Sequence, residues 1–159
     1  MTTQTLPQLH EHPFVGNEFL PQHIERLRTL AQEVRFAPDQ VIFREGDDCH
    51  DFYLIVAGRV GLEITAPGRT LRVQTLTGGD EFGWSALLMG SGKHFQARAL
   101  DAVNALSFDG PTLLEACKAD PSFGYALMHR LLAVVGGRLQ ATRLQVIDSY
   151  SVAAKRAGA

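Results

Sequence analysis

Residues 78 to 88 read Gly-Gly-Asp-Glu-Phe-Gly-Trp-Ser-Ala-Leu-Leu. Of all stretches in the chain, this one is best suited to hold a ligand. Glycines at the end of a strand let the backbone approach a bound group closely. Free N–H groups at the start of the following helical turn form a concavity that favours an anion such as phosphate. The same pattern also serves as a plain connection between a strand and a helix. No catalytic set assembles around it. Ser85 follows Gly83-Trp84 but is itself followed by Ala86-Leu87, so the second glycine of a nucleophile elbow is missing. A nucleophile, a base and an orienting group are nowhere grouped, and the chain reads as a non-enzyme. His10-x-His12 lacks the further ligands of a tetrahedral zinc site. His50 and His94 stand apart, which argues against a jelly-roll metal enzyme. Haem ligation would draw on His94, Cys49 or His129, and their context singles out none.

A loop of this kind needs strands on either side. Residues 1 to 11 read as a flexible tail. Pro21 opens a helix with Ile24, Leu27, Leu30 and Val34 at three- and four-residue spacing. From Val34 the period becomes two. Val41 to Phe43 and Phe52 to Val56 are short apolar strands, and Val60, Leu62 and Ile64 alternate with Gly61, Glu63 and Thr65 as in a half-buried strand. Ala66-Pro67-Gly68-Arg69 is a turn. Leu71 and Val73, then Phe95, Ala97 and Ala99, then Val103 to Phe108 continue the pattern. About eight strands between residues 34 and 109 predict a β-roll or jelly roll, and no alternation of strands with helices suggests a doubly wound sheet. Residues 110 to 150 then turn helical. Pro111 starts a short helix ending near Ala119, and Asp120-Pro121-Ser122 starts a long one. In the long helix Met128, Leu132, Val135, Leu139, Thr142 and Val146 recur every three or four residues. That is a heptad seam fit for a partner helix, or else one amphipathic face for the domain's own sheet. Gly136-Gly137 inside it weakens the helix and permits a bend or a close approach. Residues 151 to 159 read as a tail of small and basic residues.

The length of 159 residues fits one domain. A net charge of -2 offers no excess of cations for a phosphate backbone, so nucleic acid is not an expected partner. No secretory signal and no apolar run long enough to cross a bilayer is present. Two cysteines, Cys49 and Cys117, fit a reduced cytoplasmic protein. The stretch after the long helix, Ser151 to Ala159, is too short for a helix-turn-helix reader.

Several segments together resemble the cyclic-nucleotide-binding domain family. Val41-Ile42-Phe43-Arg44-Glu45-Gly46-Asp47-Asp48 and Phe52-Tyr53-Leu54-Ile55-Val56-Ala57-Gly58-Arg59-Val60 are similar to its opening strands. Gly79-Asp80-x-Phe82-Gly83 resembles the start of its phosphate-binding cassette. Ala97-x-Ala99 and Val103 to Phe108 resemble the strands after the cassette, and Arg138-Leu139-Gln140-Ala141-Thr142 resembles the dimer helix of its catabolite-activator branch. The resemblance spans residues 12 to about 150. It implies a single domain: N-terminal helix and eight-stranded roll over 12–109, C-terminal helices over 110–150, homodimerisation through the long helix, and a ligand-driven shift between two states as output. It also implies a ligand site at Phe82, Gly83, Trp84, Ser85, Ala86, Lys93, His94, Phe95 and Thr142, for a cyclic nucleotide (cAMP or cGMP) or another small molecule, with an unidentified downstream protein as partner.

The sequence departs from that family where the ligand would be gripped. Trp84 stands where the family has its ribose-binding Glu. Its phosphate-binding Arg aligns with His94 counted forward from Gly83, or with Lys93 counted back from Ala99. Lys93 would supply a charge but no bidentate fork, and His94 is only partly charged near neutral pH. Trp84 has two readings. Its ring covers a different ligand, flat or apolar, or it fills the vacated ribose space as core. Thr142 likewise either contacts the ligand's base or is a polar residue within the seam. Two functions lead: a sensor with a modified pocket, whose ligand differs from cyclic AMP in the family's usual pose, or an interaction module that has lost its ligand; a jelly-roll metal enzyme runs well behind both.

Overall fold

The computed structural model describes residues 9–16, 18–48, 50–87 and 95–158. Its elements are helix α1 (Pro21–Leu30), strands β1 (Gln32–Phe36), β2 (Val41–Phe43), β3 (Asp51–Ala57), β4 (Val60–Ala66), β5 (Arg69–Leu76), β6 (Glu81–Phe82), β7 (Gln96–Ala99) and β8 (Val103–Asp109), and helices α2 (Gly110–Ala119) and α3 (Pro121–Ala157). The strands form two antiparallel sheets of four, ordered β1-β8-β3-β6 and β2-β7-β4-β5. Together they make the eight-stranded roll that the alternating apolar residues predict, flanked by helices at both ends of the chain.

Strand β3 explains how the roll and the helices share one sheet. Its residues are buried at four successive positions, Phe52 to Ile55. Side chains alternate across a strand, so Tyr53 and Ile55 enter the core between the sheets while Phe52 and Leu54 face the opposite side. There they meet Phe14, Leu106 and Phe108, together with Phe123 and Leu127 of α3 and Leu113 of α2. A continuous apolar run is what a strand covered on both faces requires.

Local chemistry sets the element ends. Pro67-Gly68 joins β4 to β5, with Gly68 at φ 78°. Asp109 caps α2 by accepting from the Thr112 N–H at 3.0 Å. Asp120 caps α3 by accepting from the N–H groups of Ser122 and Phe123. Each acidic cap satisfies donors that the first helical turn leaves open.

Four expectations are corrected. Leu9, placed in the flexible tail, is fully buried in the helix-side core. A large aliphatic side chain beside Phe14 gains more from burial than residues of a polar tail do. Residues 151 to 157, read as tail, continue α3 to Ala157, because Ala, Lys and Arg sustain a helix and no Gly or Pro interrupts before Gly158. Glu63, expected on the open face of β4, is only 6% exposed. It lies in an inner strand and accepts from Gln96 Nε2 at 2.9 Å and Arg98 Nε at 3.2 Å, which compensates its burial. Val34, the last residue of the expected helical spacing, lies in β1, since α1 closes at Leu30.

Candidate functional site

The site is built where β6 ends and α3 passes over the roll. Gly83 adopts φ 81°, a left-handed conformation that a residue with a Cβ rarely takes. It reverses the chain into a short 3-10 helix, Trp84–Leu87. Upstream, Asp80 accepts from the Thr77 N–H at 2.8 Å, and its carbonyl accepts from the Ile55 N–H at 2.9 Å. The glycine loop is thereby anchored to β3 before it reaches Trp84.

Trp84 is half-buried and packs against the helix-side core. On its inner side remains a void of about 20 Å³, also lined by Phe43, Leu62, Ser85 and Arg138. That is room for about one water. On its outer side opens a cavity of about 360 Å³ between roll and helix. Leu62, Val73, Trp84 and Phe95 form its roll side. Val135, Arg138, Leu139, Thr142 and Gln145 of α3 form the other. The volume falls within the range of small-molecule sites.

The residues singled out from the sequence divide among several places. Trp84, Phe95 and Thr142 come together in the outer cavity, and Gly83 and Ser85 line the inner void. Phe82 is fully buried between the sheets and stacks on Tyr53 with ring centroids 4.7 Å apart. Ala86 is buried in the short helix. Lys93 and His94 lie outside the described residues, as does Cys49. Arg98 points away from the cavity, bonding Glu63 and the carbonyl of Asp39.

The histidines raised as metal or haem ligands have other tasks. His12 Nε2 bonds the Ile55 carbonyl at 2.8 Å, and its Nδ1 accepts from the Phe14 N–H at 3.1 Å. Burial, the largest effect, holds its pKa below the ordinary value. His129 Nδ1 pairs with Glu18 at 2.9 Å. Among the described residues, no three His, Cys, Asp or Glu side chains group as metal ligands. Cys117 is half-buried against the helix-side core, and burial raises its thiol pKa.

Sequence reasoning missed the pair that ties the loop to α3. Arg138 Nη2 donates to the Glu81 carbonyl and to Glu81 Oε1, the latter at 2.8 Å. Their side chains are 17% and 10% exposed. Burial is the largest influence on both. It pushes the Glu81 carboxyl up, with Arg138 pulling it back and Asp80 pushing it further. It also pushes the Arg138 guanidinium down, against the pull of Glu81. The available signal was spacing: Arg138 precedes Thr142 by one helical turn and so shares its face.

A second cluster fastens the base of α3. Arg130 Nε donates to the Phe14 carbonyl at 2.7 Å and Nη2 to the Pro13 carbonyl at 3.0 Å, while its guanidinium lies over the Phe14 ring. Beyond Leu131 the helix leaves the core. Leu132, Leu139 and Val146 of the expected seam are 71%, 62% and 50% exposed, and Met128 is 40% exposed. A Cβ built at Gly136 or Gly137 meets nothing within 4 Å, so within this chain neither glycine serves a close approach.

A family model described as "Cyclic nucleotide-binding domain" matches residues 33–120, more than half of the chain. No curated protein matches. Among solved structures, a cyclic nucleotide-binding domain from Methylobacillus flagellatus aligns with a TM-score of 0.82 at 16% identity, covering 91% of this chain and 85% of its own. The catabolite activator protein of Thermus thermophilus aligns at 0.70 and 23% identity, covering 84% of this chain and 61% of its own. A structure named as an EAL enzyme in a half-site-occupied form aligns at 0.53 and 30% identity, covering 71% of this chain and 98% of its own. Among the described residues, no helix is long and apolar enough to cross a membrane.

Proposed function

We propose, from the premise that this chain belongs to the cyclic nucleotide-binding domain family, that it is a non-enzymatic, ligand-sensing regulatory domain with a modified pocket. The carrying observation is the outer cavity of about 360 Å³, whose walls are shared between the roll and α3. A molecule held there touches Trp84 and Phe95 on one side and Val135, Leu139 and Thr142 on the other. Its binding energy therefore depends on where α3 lies, and this is the condition for a ligand to shift a conformational equilibrium. Trp84 replaces an anionic acceptor with a bulky ring and leaves an inner void of only about 20 Å³, which disfavours cyclic AMP in the family's usual pose. The exposed seam of α3 supports a homodimer, which would pass the change to a downstream protein. The proposed setting is the cytoplasm.

The second reading, an interaction module without a ligand, is supported by the same small inner void. Trp84, the only tryptophan, reports on both. Cyclic AMP and cyclic GMP are titrated while Trp84 emission and the thermal midpoint are followed. Neither signal is expected to move at millimolar nucleotide; a shift of both would show an ordinary cyclic-nucleotide site and overturn the modified pocket. A deproteinised small-molecule extract of cells is then applied to the protein and to Leu139→Phe, which narrows the cavity without adding a second tryptophan. The sensor reading expects the native protein to respond and the variant to stay silent. Silence from both favours the interaction module.

A further inference from the structure

The outer cavity contains one charged side chain among the described residues, and it is an arginine with donors to spare. Both hydrogen bonds from Arg138 to Glu81 use Nη2. Nε and Nη1 make no hydrogen bond among the described residues, and neither is sealed inside the protein. A guanidinium carries five N–H donors in one plane; with Nη2 committed to Glu81, the Nε and Nη1 hydrogens remain, and since they lie on different edges each offers a single bond to a further acceptor. The walls of the cavity are aromatic and aliphatic: Trp84, Phe95, Leu62, Val73, Val135 and Leu139. Polar groups are few, with Gln74, Thr142 and Gln145 completing the lining.

We propose that this cavity recognises a flat aromatic monocarboxylate, its ring between the Trp84 and Phe95 side and α3, a carboxylate oxygen accepting from a free N–H of Arg138. The inference rests on the sensor reading and specifies the ligand class for that site. A carboxylate oxygen on a charged N–H makes a charge-assisted bond, and such bonds in an apolar surround are the strong ones. A flat ring matches aromatic walls, which bind by offset stacking or by their edges. Charge count limits the ligand to one negative charge. Arg138, already paired with Glu81, is the one charged residue among the described lining, so a second negative charge on the ligand would find no further cation in the cavity wall.

The ligand touches the same guanidinium that fastens α3 to Glu81. It therefore reinforces the helix at the point where the helix meets the glycine loop.

The test uses 2-naphthoate and its uncharged isostere 2-naphthamide on the full chain, read by calorimetry and thermal midpoint. Naphthoate is expected to bind with one site per chain, at least about tenfold more tightly than the amide, the margin of a charge-assisted bond over a neutral one. Arg138→Gln is expected to erase that preference, and Arg138→Lys to keep part of it, since the charge stays but the donors no longer reach Glu81 and the ligand from one plane. If Arg138→Gln fails to fold, the comparison of the two probes on the native protein decides alone. Equal binding of acid and amide overturns the charge assignment while leaving a sensing cavity in place. Absence of binding by both overturns the ligand class, and the cell-extract titration then decides separately whether the cavity senses anything.

Discussion

Helix α3 is two helices in physical terms. From Pro121 to Leu131 it is part of the domain: Phe123, Gly124, Ala126, Leu127 and Leu131 are buried, and Arg130 clasps the segment around Phe14. From Leu132 onward most of its apolar side chains lie open, Leu132 at 71% and Tyr150 at 73% exposure, with Val134 still touching the core, and its firmest tie to the roll is Arg138 to Glu81. The presence of large apolar residues does not separate the halves, since both carry them. What separates them is whether a covered sheet face lies opposite. The first half is folded by this chain; the second is presented by it.

The largest expected difference comes from placing one substitution in each half. Leu127→Ala removes a fully buried side chain and is expected to cost about 2–5 kcal/mol of unfolding free energy in denaturant titration. Leu139→Ala is expected to stay within about 0.5 kcal/mol for the monomer, while weakening self-association measured by sedimentation. A comparable loss from Leu139→Ala in dilute monomer would show that the second half is folded by this chain after all. Next in size is the single tie. Arg138→Met leaves Glu81 buried without its cation, and a loss of up to about 3 kcal/mol is expected, less than for a fully sealed pair because both groups keep some exposure. Glu81→Gln in the same background should recover part of that loss, since no charge is then left unpaired.

The base of α3 and the tie of its free half carry opposite pH signatures. The fold holds His12 neutral, because Nδ1 must accept from the Phe14 N–H while Nε2 donates to Ile55. Its pKa is lowered in the folded state, so protons bind the unfolded chain first. The stabilisation is complete above the ordinary histidine value of about 6.5, and is lost as pH falls from there through the lowered value. Glu81 acts in the opposite sense: its raised pKa makes the folded chain take up a proton first in the carboxylate range, so its own contribution improves on acidification. His12→Gln should therefore flatten the stability profile between about pH 6.5 and the onset of carboxylate titration, measured by thermal midpoint against pH. An unchanged profile would remove His12 as the cause. The smallest effect is expected at the glycines. Gly136→Ala and Gly137→Ala meet no neighbour and should each stabilise the second half by about 1 kcal/mol, seen as slower amide exchange beyond Leu132.

The roll was legible because its signals are local. Period-two alternation and the Pro67-Gly68 and Gly78-Gly79 breaks locate strands without knowledge of their partners, and Asp109 and Asp120 mark the helix starts. Glu63 was not legible, since a buried carboxylate depends on Gln96 and Arg98, more than thirty residues away in sequence. The cavity was half legible. Trp84, Phe95 and Thr142 occupy positions that the family resemblance marks, and they do line one cavity. Arg138 and Glu81 escaped because a charge on an exposed helix and a charge in a loop each look solvated until the fold brings them within 2.8 Å. Leu9 escaped for the mirror-image reason: polar neighbours on either side disguise a single buried anchor.

The unbroken run of α3 past the roll also has a mechanical meaning. From Arg138 to Ala157 the helix extends about 30 Å. Pivoting at Arg138, it works as a lever arm, and each degree of tilt sweeps the tip through about half an ångström. A rearrangement beside Trp84 too slight to alter the packing of the roll is thus delivered, magnified, to whatever grips the far end.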